Sequence, residues 1–210
     1  MRRLFLILIL AGCTQTKNQS ICVMIDTSGT YKDQISEILQ QVKLGILPYI
    51  NGGDHLVLMK IDSSSYEWDN VIAAIDVPKS RGEAAHSKRV FSAELDRVEF
   101  ESARYTDISG ALLYCNEYMT NINNPMKKML IYSDMQEELP RNMSRGFRKD
   151  EFSRVEFVVV NSKRLIGDQK DPERYRKRMD GWRKKLMQHG ASGFQVFIGS
   201  GRVRSFLEKK

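Results

Sequence analysis

Apolar residues recur along this chain with two different periods, and the switches between them mark its elements. Ile21-Cys22-Val23-Met24-Ile25 is an unbroken apolar run that ends on Asp26, which predicts a strand buried on both faces. Ile35, Ile38, Leu39, Val42 and Ile46 then recur at three- and four-residue steps, and Pro48 with Gly52-Gly53 closes the segment. That spacing predicts a helix. Residues 55–61 predict a second strand, and 71–77 a third, reached through Ser63-Ser64-Ser65 and ended by Pro78. Helices are predicted over 83–98 and from Thr106 onward, the latter carrying Ile108, Leu112, Leu113 and Cys115. Strands follow at 128–133, which runs into Asp134, and at 155–160. An amphipathic helix over 175–188 and a last strand over 194–198 complete the pattern. Strands alternating with helices predict an α/β fold, a doubly wound and mainly parallel sheet flanked by helices on both faces.

The N-terminus follows a different logic. Arg2 and Arg3 precede the apolar run 4–10, which leads into Leu10-Ala11-Gly12-Cys13. This is the layout of an export signal. A membrane-spanning helix needs roughly 20 apolar residues, more than this run supplies, and the polar stretch 14–20 argues against a buried strand. A cysteine directly behind small residues resembles the lipobox of bacterial lipoproteins. The resemblance implies a signal peptide over 1–12, a lipid on Cys13, a polar tether over 14–20 and one domain over 21–210. It also implies a lipid-anchored place in the cell envelope. Thr14 stands where Asp would mark retention at the inner membrane, so in a two-membrane host the address is the periplasmic side of the outer membrane. Two further cysteines, Cys22 and Cys115, have two readings: a disulfide formed in an oxidising compartment, or a pair of buried thiols acting as small hydrophobes.

The formal charge of +7 hides an asymmetry. Residues 13–140 hold 12 Lys+Arg against 18 Asp+Glu, net −6, whereas residues 141–210 hold 19 against 8, net +11. Such separation creates a field that orients a protein near an anionic surface or an acidic partner.

Ligands in an open parallel sheet gather beyond the carboxyl ends of the strands, where the chain order reverses. Three stretches fall at such positions: Asp26-Thr27-Ser28-Gly29-Thr30 after the first strand, Thr106 at a helix entry, and Asp134 at the end of a later strand. Taken singly, Thr27, Ser28, Thr30 and Thr106 read first as helix caps. Together they form a set of oxygen donors without His or Cys, the set that suits magnesium, with manganese as a substitute. Here the sequence resembles the von Willebrand factor A domain and its metal-ion-dependent adhesion site, an Asp-x-Ser-x-Ser run with a distant Thr and a closing Asp. By that resemblance the metal ligands are Asp26, Ser28, Thr30, Thr106 and Asp134. Thr30 replaces Ser, Arg104-Tyr105 stand where glycines precede the Thr, and Met135 stands where Gly usually follows the last Asp. The resemblance implies that one coordination position stays open for an Asp or Glu of a protein partner.

Other chemistries lack their partners. Ser28 occupies the position where a haloacid dehalogenase-type phosphatase needs a second Asp, and it interrupts the Asp-Thr-Gly of an aspartic protease. His55, His86 and His189 pair with no Ser or Cys motif and read as surface or loop residues. Asp107 reads as a charge favoured by the helix dipole, Glu137 and Glu138 as solvated loop charges, and Gly199-Ser200-Gly201 as a turn. The helix around 174–189 sets Tyr175, Met179, Trp182 and Leu186 on one stripe, surrounded by Arg174, Arg176, Lys177, Arg178, Arg183, Lys184 and Lys185. Those bases read as a solvated face or as a contact with anionic lipid. Nucleic acid is a poor fit, because no aromatic-basic stacking platform is visible. The expectation is therefore a tethered binding protein without catalytic activity. Its alternatives are a hydrolase using the same ion with Glu137 or Glu138 as base, and a scaffold that binds no ion.

Overall fold

The computed structural model describes residues 17–29, 31–161 and 171–208. The export signal, Cys13 and most of the tether lie outside the described residues. Six strands form one sheet: β1 (Gln19–Asp26), β2 (His55–Ile61), β3 (Val71–Asp76), β4 (Met126–Tyr132), β5 (Val155–Asn161) and β6 (Gly193–Ile198). Their spatial order is β3-β2-β1-β4-β5-β6, all parallel except β3, which runs antiparallel to β2. This is the predicted mainly parallel sheet. The exception has a simple cause: only nine residues separate β2 from β3, too few for the crossover a parallel pair requires.

The main helices are α1 (Ile35–Gln41), α2 (Arg81–Leu95), α3 (Ile108–Thr120), α4 (Pro172–Gln188) and α5 (Val203–Glu208). The predicted first helix is less regular than its spacing suggested. It passes from α into a π-helical turn over Val42–Ile46 and a 3-10 turn over Leu47–Tyr49. β1 is buried along its whole length, and its side chains alternate between two cores. Ile21, Val23 and Ile25 join α1, α2 and α5, whereas Cys22 and Met24 join α3 and α4. Met179, Trp182 and Leu186 on α4 are buried in the second core, as the stripe predicts. In that core Cys22 meets Cys115 of α3 as a disulfide, with Cα atoms 6.4 Å apart. The oxidised reading of the two cysteines is thus the one the structure shows.

Two residues depart from expectation. His55 is no surface residue: it opens β2, is buried, and its Nδ1 lies 2.8 Å from Asp76 Oδ1 on β3. His86 is exposed on α2, and His189 is a half-buried helix end whose Nδ1 lies 2.7 Å from the Lys185 carbonyl. The second is Lys128, which is 1 % exposed near the start of β4, just before its apolar run. Its ammonium donates to the carbonyls of Phe206 (2.8 Å) and Leu207 (3.0 Å) and lies over the Phe206 ring. A buried ammonium is tolerable only when so surrounded by acceptors, and here it satisfies carbonyls that the end of α5 leaves open. Lys128→Met keeps the apolar stem and strips the donors, so urea unfolding is expected to show a loss of about 1–3 kcal/mol. An unchanged midpoint would mean that α5 does not depend on this contact.

Candidate metal centre

The site starts from the register of the two central strands. Ile25 of β1 sits opposite Tyr132 of β4, so the next residues, Asp26 and Ser133, emerge level with each other from the carboxyl edge of the sheet. Chain order reverses between these two strands, which is where an open α/β sheet parts to leave a crevice. Asp26 is 1 % exposed and bridges both sides of the crevice. Its Oδ1 accepts from the Ser28 N–H at 2.9 Å, and its Oδ2 accepts from the Ser133 hydroxyl at 2.7 Å. Burial holds its carboxyl above the ordinary 3.8, opposed by the hydrogen bonds from Ser133 and Ser28. Among the described residues no cation pairs with Asp26.

Loops bring the other groups in. Ala103 N–H donates to the Thr27 carbonyl at 3.0 Å, clamping the segment before Thr106 against the end of β1. Thr106 and Glu138 exchange two backbone hydrogen bonds, at 2.8 and 3.0 Å, which tie the same segment to the chain beyond Asp134. The result is a cleft of about 280 Å³ with Ser28, Thr106 and Asp134 in its wall, beside Arg104, Gln136 and Glu138. Asp26 lies behind that wall, linked to it through Ser28. Four of the five sequence-derived candidates are thus brought together, and Thr30 lies outside the described residues.

The helix-cap reading does not account for these hydroxyls. Asp107, not Thr106, is the N-cap of α3, accepting from Gly110 N–H at 2.7 Å. Thr27 donates to the Ile61 carbonyl at 2.8 Å and so pins β1 to β2, and α1 begins only at Ile35. In chemistry the set fits a hard divalent cation: the Asp134 carboxylate and two hydroxyls in the wall of one small cleft, with the Asp26 carboxylate buried directly behind it. Among the described residues no group of three or more His, Cys, Asp or Glu is assembled for a metal, at this cleft or elsewhere, so the candidate centre rests on carboxylates and hydroxyls together.

Several residues around the cleft were not anticipated. Ser133 both donates to Asp26 and accepts from the Met135 N–H at 3.0 Å, a role with no signal beyond its place before Asp134. Met135 adopts φ +62°, the left-handed backbone that glycine takes most easily, which explains why a Gly is usual there. Met135 offsets that cost by burying its side chain in the second core, and its carbonyl accepts from the Trp182 indole at 2.8 Å. Asp107 is more than a dipole-stabilised charge. It is fully buried and paired with Arg145 at 2.8 Å, and it also accepts from Ser65 N–H. Glu137 is not simply solvated either, since it accepts from Ser109 N–H at 2.6 Å. Glu138 is exposed, at the edge of the cleft. Arg178 of α4 donates to the Asp134 carbonyl at 2.8 Å, so the basic helix buttresses the strand end from behind.

No protein-family model matches the chain, and no curated protein matches it in sequence. Solved structures do match. A von Willebrand factor type A protein from Catenulispora acidiphila superposes with a TM-score of 0.54 at 11% identity, covering 91% of this chain and 41% of that one. The pilus adhesin SpaC from Lactobacillus rhamnosus GG gives 0.56 at 12% identity, covering 92% and 29%. The PilB minor pilin from Streptococcus sanguinis gives 0.54 at 9% identity, covering 92% and 60%. The chain therefore has a von Willebrand factor A-like fold, and it spans less than two thirds of the length of each of these proteins.

The burial of Asp26 has a measurable consequence without any ion. A carboxyl raised by burial penalises the fold fully above its raised pKa, and the penalty is gone below 3.8. In divalent-free buffer at neutral pH, Asp26→Asn is expected to raise the melting temperature by roughly 2–5 °C, and the gap should close as pH falls. Asp26→Ala, which leaves Ser28 N–H and the Ser133 hydroxyl without their acceptor, is expected to lower it. Equal losses in both variants would show that the charge carries no penalty.

Proposed function

We propose that this protein binds a protein partner through a magnesium ion held by Asp26, Ser28, Thr30, Thr106 and Asp134, without catalysing a reaction. The observation that carries this reading is the meeting of Ser28, Thr106 and Asp134 in one cleft, with Asp26 buried behind it. A bound divalent ion would supply a positive coordination position open to a carboxylate of the partner. Asp26 would hold Ser28 in place and balance the charge, Ser28 and Thr106 would present hydroxyl oxygens, and Asp134 would complete the wall. Because the hydroxyls are uncharged, the ion would retain more attraction for an incoming carboxylate than it would among carboxylates alone, and the partly enclosed cleft strengthens that attraction. Resemblance in fold to a pilus adhesin and a minor pilin fits a role in protein contacts. The hydrolase alternative has less support, since the carboxylate of Glu137 is spent on the start of α3. That leaves only exposed Glu138 as a base.

The reading is tested by titrating magnesium and manganese into the purified chain while following thermal unfolding. Saturable stabilisation is expected in the wild type, and its loss in Ser28→Ala and Asp26→Ala. Capture of an envelope partner should then fail in the presence of chelator. Capture that persists in chelator would replace this reading with that of a scaffold.

We further propose that the chain is anchored through a lipid on Cys13, with the exposed bases of α4 against anionic lipid. Arg174, Arg176, Lys177, Arg183 and Lys184 are all exposed there, and each basic group near such a surface adds about 1 kcal/mol. Cys13→Ser is expected to abolish lipid labelling and release the protein from membranes. The unlipidated chain should still float with anionic vesicles and lose that binding as salt rises. Absent or salt-insensitive flotation would remove the second contact.

A further inference from the structure

Away from the cleft, a second cavity of about 440 Å³ lies between the π-helical turn Val42–Ile46 and α5. Its walls are built from Leu44, Ile46, Tyr49 and Val203, with Gln41 and Tyr132 among them. Leu44 is 74 % exposed, an apolar side chain at a place where the helix has been widened by one residue per turn. Such π-turns recur at functional positions.

Two polar atoms on this wall lack what they need. Tyr132, the last residue of β4, is 1 % exposed and its hydroxyl has no hydrogen-bond partner. Gln41 uses its Nε2 on Glu37 Oε1 at 3.2 Å, and its Oε1 is buried without a donor. Buried polar groups are almost always paired, and one left unpaired is costly. Here a potential donor and an acceptor are left over on the same small cavity. The two charged residues at its rim are held outside it. Glu37 accepts from Gln41, and Arg204 pairs with Glu208 at 3.1 Å with its guanidinium over the Tyr49 ring.

We propose that this cavity binds a small uncharged amphiphile whose head both donates and accepts a hydrogen bond, a secondary amide or an alcohol. The head bridges the Tyr132 hydroxyl and Gln41 Oε1, and the apolar body lies on Leu44, Ile46 and Val203. The volume falls within the range of small-molecule sites, which combine apolar walls with a few placed polar groups. A charged head is disfavoured because burial against these apolar walls would strip its water. A single ordered water bridging the two atoms is the competing account.

N-butylacetamide, titrated into the full chain in divalent-free buffer, serves as the probe, so the result is independent of the metal reading. The methyl NMR signals of Leu44, Ile46 and Val203 are expected to shift saturably. Tyr132→Phe is expected to weaken binding roughly three- to tenfold, and hexanoate should bind more weakly than the amide. The same variant gives a second reading, since loss of an unpaired hydroxyl should leave the melting temperature unchanged or raise it. Absent or unsaturable methyl shifts, or equal affinity in Tyr132→Phe, would overturn the proposal in favour of bridging water alone. A clear drop in the melting temperature of Tyr132→Phe would also overturn it, by showing that the hydroxyl is already satisfied.

Discussion

The parallel pairing of β1 with β4 is the constraint from which the candidate site follows. Each strand is flanked on both sides within the sheet and covered on both faces, so neither can slip by one residue without exchanging its two cores. The register that sets Ile25 opposite Tyr132 therefore also sets Asp26 beside Ser133, and the hydrogen bond between them closes the bottom of the cleft. Everything nearer the surface is hung from this pair. Ser28 is held by Asp26, the segment around Ala103 by Thr27, and Thr106 by Glu138.

Such a bottom-up order gives rigidity where it is needed and leaves polarity where it costs most. Asp26 sits in a place from which water is excluded, and two hydrogen bonds do not fully offset the loss of its hydration. Fully satisfied buried carboxylates usually have an Arg or Lys beside them, as Asp107 has Arg145. The contrast between these two acids is informative. Asp107 joins two loop segments, through Arg145 and Ser65, to the start of α3 at Gly110, and its charge is paired within the protein. Asp26 holds its neighbours in place just as firmly but leaves charge uncompensated at a cleft, which is the arrangement a cation would complete.

Much of this was legible before any coordinates. Unbroken apolar runs located the four inner parallel strands because those strands are buried on both faces. The acids and hydroxyls at their carboxyl ends pointed to the crevice because topology places ligands there. What escaped were contacts made across long sequence distance by irregular segments. Arg145 lies 38 residues from Asp107 in a loop with no period, and nothing local marks the pair. His55 opens the strand predicted over 55–61, but its reading as a surface or loop residue missed its burial beside β3. One miss did have a signal. Asp107 followed at the third position by Gly110 is a helix N-cap pattern, and the structure uses it so, leaving Thr106 outside the helix.

The charge asymmetry of the sequence acquires its meaning only through the strand order. Because β3, β2, β1 and β4 come from the acidic part of the chain and β5, β6 and α4 from the basic part, a separation along the sequence becomes a separation across the sheet. The boundary falls next to β4, so the cleft lies on the acidic side with the basic region as its immediate neighbour. Among the described residues Arg178 reaches the Asp134 carbonyl, Lys185 the Ser109 hydroxyl and Arg145 the Asp107 carboxylate across that boundary. The acidic cleft and the basic flank therefore lie side by side at the carboxyl edge of the sheet. On the proposed reading, binding at the cleft would depend on an added positive charge and approach on the basic half. The two contributions are separable by salt, which screens the long-range field far more than a contact inside a narrow cleft.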